Sequence, residues 1–342
     1  MGRRRASAAL LAGVLVVAAC GDDDASSPGT SSTSEGVGTE APDDTTTTTT
    51  PPSPPTVEEL LSGDEVLNIA HAGGDQDHPH STMYAFTEAV AAGADVLEFD
   101  VWATADGVVV VHHDADTAKT SPESLVVAET DLATLQELDN AYWFSAQCWP
   151  CHDRPLEEYE FRGVRTGERP PPDGYSPEDF RIVTLEELAE RFPEVPFDIE
   201  IKGEGEIGVR NAQALAETLD RLDRTESSVV VAFDSAVIAA FHDAAPDVVT
   251  SPGVAEMTEW LLNDVPLADH HRVIQVPPAF EGVPVLTPES VAKAHADGLA
   301  VWVWMDTPRE QENEAFYRSL IELEVDGLIV GRPAQAETAI GA

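Results

Sequence analysis

Short apolar runs of strand length recur along this chain with helical segments between them, and that alternation is the strongest constraint on its fold. Val66 to His71 is bounded by Gly63-Asp64 and Gly73-Gly74, and Ser81 to Ala92 follows with Met83, Phe86 and Val90 at helical spacing. Further strands are expected at Ala94 to Val101, Val108 to Val111, Phe197 to Lys202, Val229 to Phe233, Val248 to Thr250, Val273 to Val276, Ala300 to Trp304 and Gly327 to Val330. Helices fit Val209 to Leu222, Ser235 to Ala244, Pro288 to Ala296 and Arg309 to Leu323, a pattern that implies a parallel sheet. No helix fits between Ala94–Val101 and Val108–Val111, so these two are expected to pair as an antiparallel hairpin turning at Asp106-Gly107. That turn sets His113 opposite Asp100. With the hairpin's return strand left outside, the expectation is a TIM-type (β/α)8 barrel with a β-hairpin after strand 2 and an insertion before strand 4. A doubly wound open sheet has no Gly-rich nucleotide fingerprint to support it.

The chain opens with Arg3-Arg4-Arg5, an apolar run from Ala6 to Ala19, and Val17-Ala18-Ala19-Cys20. This reads as a bacterial lipoprotein signal over residues 1–19, cleaved before a lipid-bearing Cys20, because the run is too short to span a bilayer. Residues 20–56 are Asp, Ser, Thr, Gly and Pro with almost nothing to form a core, and are expected to be a disordered tether. The expected location is the cell envelope, at the outer face of the cytoplasmic membrane, with membrane contact through the lipid anchor alone. Residues 57–342 suit one barrel of the usual size, with an insertion at about 140–180. The formal charge of −44 becomes −47 once the three signal arginines leave, which excludes nucleic acid as a partner. An anionic substrate then needs local compensation, which a bound cation supplies.

Barrel enzymes keep their active sites at the carboxyl ends of the strands, and His71, Glu98, Asp100 and Glu200 all fall there. Glu98 and Asp100 are two apart in a strand and share a face, as do Glu200 and Lys202. Carboxylates gathered on one face repel unless something pairs them. With no thiolate near, the set suits one hard divalent cation, Ca2+ or Mg2+, better than zinc. Taken singly, the carboxylates also read as salt-bridged rim residues, His71 as a hydrogen-bonded strand-end histidine and Lys202 as a partner for Glu200. Their coincidence at strand ends favours a site.

Ile69-Ala70-His71-Ala72-Gly73, Ala94 to Val101, Thr104-Ala105-Asp106-Gly107 and Val110 to Asp114 resemble, in order, the signature of the glycerophosphodiester phosphodiesterases. The resemblance continues through Thr184 to Glu187, Ile199 to Lys202, Val301 to Trp304 and Val325 to Ile329. It implies His71 and His113 as general acid and base, Glu98, Asp100 and Glu200 as metal ligands, Lys202 on the phosphate, and Trp304 as a wall of the glycerol pocket. The implied reaction is hydrolysis of a small glycerophosphodiester to glycerol 3-phosphate and an alcohol. A lysophospholipase D-like activity or cleavage of a glycerophosphate polymer would use the same site with another pocket. Two departures stand out: Ala72 replaces the family's usual arginine, and Pro79-His80-Ser81-Thr82 replaces Pro-Glu-Asn-Thr. His78 or His80 could restore the lost contact, although solvated loop histidines are the simpler reading.

Within the insertion, Cys148-Trp149-Pro150-Cys151-His152 reads as a local disulfide in an exported protein, with covalent haem attachment and a redox pair as the other readings. Arg154, Arg162, Arg165 and Arg169 make it locally basic, either to attract phosphate or to pair with nearby glutamates. Two readings of another class remain: a lipid-tethered binding protein, which needs two lobes, and an inactive barrel serving as a surface module.

Overall fold

The computed structural model describes residues 53–146 and 151–342. The expected signal, most of the tether, Cys20 and Cys148 lie outside the described residues. Eleven strands occur among those described: β1 (Leu67–His71), β2 (Val96–Ala103), β3 (Val109–Val111), β4 (Phe197–Ile201), β5 (Ser228–Val231), β6 (Val249–Thr250), β7 (Val273–Val276), β8 (Ala279–Phe280), β9 (Val283–Pro284), β10 (Ala300–Trp304) and β11 (Gly327–Val330). Eight of them form one parallel sheet in the order β6-β5-β4-β2-β1-β11-β10-β7. The two ends meet where Thr250 bridges His271 in parallel, with Thr250 N donating to His270 O at 3.0 Å and Arg272 N to Thr250 O at 3.2 Å. The result is a nearly closed eight-stranded barrel, as the strand and helix alternation implies.

Alternation of side chains along each strand divides the core in two. Leu97, Phe99 and Val101 of β2 and Phe197, Ile199 and Ile201 of β4 face outward, into a layer shared with Phe86, Leu188, Leu215 and Phe241 of the surrounding helices. The intervening residues face the barrel axis. Low in the barrel these are apolar, with Ile69, Val96, Val229, Val273, Trp302 and Ile329 in one cluster. The short helix Val57–Leu61 closes that end, its start capped by reciprocal bonds between Thr56 and Glu59. Higher up, the inward positions become His71, Glu98, Asp100, Asp198, Glu200 and Gln275. All eight residues of β2 are buried even though two are carboxylic acids.

Three features differ from the sequence expectation. The β2–β3 hairpin turns through Ala105-Asp106-Gly107, three residues rather than two, with Gly107 at φ +83°. Gly107 N donates to Thr104 O at 3.0 Å and Thr104 N to Val108 O at 2.9 Å. The pairs are therefore Val101 with Val111, Trp102 with Val110 and Ala103 with Val109, one residue out of the expected register. His112, not His113, lies beside Asp100, its N–H on Asp100 O at 2.9 Å. The expected helix from Arg309 to Leu323 is broken into Pro308–Gln311 and Glu314–Ile321, because Asn313 adopts an extended conformation and caps the second piece through Phe316 N at 3.1 Å. The short hairpin β8–β9 beyond β7 was not expected from the sequence.

The insertion packs on the barrel through aromatic rings: Tyr84 lies 5.0 Å from both Phe161 and Phe180 and 4.7 Å from Tyr175. Its arginines are built into it. Arg162 lies over the rings of Tyr142, Trp143 and Tyr159, Arg165 donates to Gln136 O and Arg169 to Tyr159 O, while Arg154 stands 3.8 Å from Glu158. Cys151 is disulfide-bonded. Among the described residues no helix is long and apolar enough to cross a membrane.

Candidate active site

His71 ends β1, and the chain then reverses sharply through Ala72, Gly73 and Gly74, with φ of +49°, +83° and +87°. A Cβ on Gly73 would lie 2.8 Å from Ala85 Cβ, so the helix that follows can pack against this turn only if a glycine is there. The turn is pinned to the next strand, since Ala72 N donates to Glu98 O at 3.0 Å and to Glu98 Oε2 at 3.1 Å. It also returns Asp75 over the ring of His71, Oδ1 standing 3.3 Å from Nδ1. The other ring nitrogen, Nε2, lies 4.0 Å from Glu98 Oε2 at the barrel mouth.

Strand register gathers the acids. His71 pairs with Glu98 across β1 and β2, and Glu98 with Asp198 and Asp100 with Glu200 across β2 and β4. Lys202 follows β4, and its Nζ is 2.8 Å from both Asp100 Oδ1 and Glu200 Oε1. On the hairpin side, His113 Nδ1 is 3.0 Å from Asp114 Oδ1, and Lys119 Nζ is 3.4 Å from Asp114 Oδ2. Trp102 Nε1 donates to His113 O at 3.3 Å and holds that segment, so His113 reaches the site despite the shifted register. Trp304 stands at the end of β10, its ring 6.2 Å from Phe233.

These positions shift the proton affinities. Burial opposes a charged His71, but Asp75 and Glu98 outweigh it and hold the imidazole pKa well above its ordinary value. Burial, together with Asp100, Asp198 and Glu200, pushes Glu98 well above the carboxylate range against the pull of His71. Burial likewise raises Glu200, with Lys202 opposing. Burial also acts on Asp100, yet Lys202 and His113 prevail and bring it down to about 2. Asp198, buried beneath this layer and bonded to Gln275 Nε2 at 2.7 Å across the barrel, is pushed up to about 8 by burial and by its acidic neighbours.

Every sequence-derived site residue among those described, His71, Glu98, Asp100, Glu200, Lys202, His113 and Trp304, comes to this end of the barrel. The three expected metal ligands lie on two neighbouring strands, with Lys202 between two of them. Among the described residues, no three His, Cys, Asp or Glu side chains stand in an arrangement that could hold an ion. The donor chemistry nevertheless fits a hard cation, since all three are carboxylates and Asp100 Oδ2 is buried without a hydrogen-bond partner. The four insertion arginines, by contrast, are tied to main-chain oxygens, aromatic rings or a glutamate. His80 is not a solvated loop histidine: it is 3% exposed, with Nδ1 2.8 Å from Ser81 Oγ. Sequence reasoning missed Asp75 and Asp114, the Nδ1 partners of the two histidines, and Asp198 beneath the acids. Asp198 was readable, being two residues before Glu200 and so on the same face.

The chain is 30% identical to a human lysophospholipase D over 184 residues, 52% of this chain and 48% of that protein, so it spans about half the length of such curated relatives. It is 23% identical to a Bacillus subtilis glycerophosphodiester phosphodiesterase over 285 residues, 80% of this chain and 86% of that one. The barrel superposes, with a TM-score of 0.60 and 18% identity, on an Oleispira antarctica phosphodiesterase solved with the product sn-glycerol-3-phosphate, covering 80% of this chain and 96% of that one. Residues 71–335 match the model of the glycerophosphoryl diester phosphodiesterase family, and the chain belongs to that family.

Proposed function

We propose that this protein hydrolyses glycerophosphodiesters to glycerol 3-phosphate and an alcohol, using one divalent cation, Ca2+ or Mg2+, at the outer face of the membrane to which Cys20 anchors it. The observation that carries the reading is the pair of histidines at the barrel mouth, each with an aspartate on Nδ1, beside a group of buried carboxyls. An aspartate on Nδ1 fixes the ring's tautomer and directs Nε2 outward, as acid and base catalysis require. His71, which Asp75 and Glu98 keep protonated, is the acid that delivers a proton to the departing alcohol oxygen. His113 is the base that takes a proton from the attacking water. A phosphorus–oxygen bond to water forms as the bond to the alcohol breaks.

Glu98, Asp100 and Glu200 would hold the cation, which supplies charge neutralisation for a phosphate oxygen. Lys202 contacts the phosphate, and Trp304 walls the glycerol side. The test is release of glycerol 3-phosphate from glycerophosphocholine and glycerophosphoethanolamine, with and without chelator, in the wild type, His71→Ala and Glu98→Ala. Chelator-sensitive release that both substitutions abolish is expected. No release from either substrate with any divalent cation discards the reading.

A second reading has support of its own. Phe233 and Ile207 are each 48% exposed, the first with its ring 6.2 Å from Trp304 and the second in the helix that follows Lys202. An acyl chain carried by the glycerol would lie there, which makes a lysophospholipase D-like substrate the alternative. Phe233→Ala then lowers turnover of lysophosphatidylcholine and leaves that of glycerophosphocholine unchanged.

A further inference from the structure

Asp75 sits on a glycine-rich turn and yet holds a defined position against His71. Its Oδ2 accepts from Gln76 Nε2 at 3.2 Å, a bond to a chain neighbour that cannot place the turn by itself. The turn's own bonds contribute, Gly74 N and Asp75 N donating to His71 O at 2.8 and 3.3 Å, and the end of β11 adds a second hold from outside the turn. Gly331 lies against Asp75 so closely that a Cβ there would collide with Asp75 Oδ1 and with Gln76, and Gly331 O accepts from Gln76 N at 3.2 Å. Gly331 is in turn held by Glu312, whose Oε1 accepts from Gly331 N at 2.8 Å while Oε2 meets the hydroxyl of the fully buried Tyr317. The broken helix makes this possible, because Glu312 occupies the gap between Pro308–Gln311 and Glu314–Ile321.

We propose that Glu312 and Gly331 are positioning residues for His71, acting through Asp75: the carboxyl fixes the glycine, the glycine fixes the aspartate, and the aspartate orients the ring. A buried acid is costly unless it is hydrogen-bonded, and this one, pushed up to about 7 by burial and by Asp75, spends one oxygen on Gly331 N, the link toward His71, and the other on the Tyr317 hydroxyl that holds it in place. The inference rests on His71 acting in the proposed hydrolysis, but its structural half stands apart from activity.

The experiment is a double-mutant cycle on glycerophosphocholine hydrolysis between Glu312→Ala and Asp75→Ala, with Glu312→Gln as the conservative variant. Glu312→Ala is expected to lower kcat about tenfold with KM unchanged, as a small misplacement of a reacting group does. Glu312→Gln, which keeps an acceptor for Gly331 N, should restore kcat to within about twofold, since the bond that fixes the glycine is retained. In the Asp75→Ala background, Glu312→Ala should add nothing. Gly331→Ala and Tyr317→Phe enter the same cycle if Glu312→Ala does not fold. Multiplying effects, or an unchanged kcat, overturn the proposal. A crystal structure of Glu312→Ala in which Asp75 Oδ1 keeps its 3.3 Å distance to His71 also overturns it, even if the wild type proves inactive on every diester and the functional reading has failed.

Discussion

Lys202 shows how one side chain can hold a site together before any ligand arrives. Its side chain is 15% exposed, with the ammonium between Asp100 and Glu200, and burial of all three is tolerable only because the charges meet. Removing one partner of a buried ionic group costs more than the group contributes. Lys202→Met is therefore expected to lower unfolding stability by about 3 kcal/mol in chelator, with added Ca2+ or Mg2+ recovering part of the loss. Denaturant titrations with and without the cations check this, and equal stability of variant and wild type in chelator would rule it out. The same-face placement of Glu98 with Asp100 and of Glu200 with Lys202 was legible in the sequence, since the period of two is a local property of a strand. The Nδ1 partners were not. Asp75 reaches His71 only through a turn with three successive positive φ values, and nothing in the residue string reports that return.

At the scale of elements, the β2–β3 hairpin makes the most specific claim. Gly107 at φ +83° has no heavy atom within 4 Å of where a Cβ would sit, so a side chain there meets no steric obstacle beyond the backbone itself. Gly107→Ala is expected to cost about 1 kcal/mol through that backbone strain alone, read as a shifted denaturation midpoint with an unchanged slope. The outward face of β2 supplies a larger effect. Phe99 meets Phe86 and Phe197 edge-on, with centroids 5.9 and 5.2 Å away, and is fully buried. Phe99→Ala should cost about 3 to 5 kcal/mol, and a loss under 1 kcal/mol would show that the outer layer closes over the cavity. The nine strands of the barrel sheet and several of the helices were readable from apolar runs, whereas the β8–β9 pair and the hairpin register were not. A two-residue and a three-residue turn differ by one position, and Asp106 chooses between them by accepting from Thr104 Oγ1 at 2.6 Å and from Leu132 N, 26 residues away, at 3.1 Å.

For the molecule as a whole, the barrel closes at the seam between β6 and β7, where an isolated bridge joins Thr250 to His271. Thr250 Oγ1 lies 2.8 Å from Nδ1 of His271, His270 stacks on His242 at 3.6 Å, and Glu256 Oε2 is 3.9 Å from His271 Nε2. Burial, with His270 and then His242 adding to it, pulls His271 down to about 4. A base whose pKa is depressed by folding contributes stability above its unfolded pKa of about 6.5, and that contribution is lost as pH falls toward 4. Stability against thermal unfolding should therefore fall, as pH drops through this window, by on the order of 2 kcal/mol more in the wild type than in His271→Asn. Parallel pH profiles for the two proteins would refute the assignment. Taken alone, the sequence determined the barrel class, the order of its strands in the chain and which residues stand at their carboxyl ends, because apolar runs, period-two alternation and strand ends are local properties of the chain. Only the tertiary structure decided the hairpin register, the break that frees Glu312, the aspartate on each histidine, the place of Lys202 between two acids, and closure at Thr250 and His271. Closure at Thr250, the Lys202–Asp100 pair and the Asp106–Leu132 bond at the hairpin join residues far apart in the chain, while the aspartates, four and one residues from their histidines, and the break before Asn313 depend on turn and cap geometry that the residue string does not spell out.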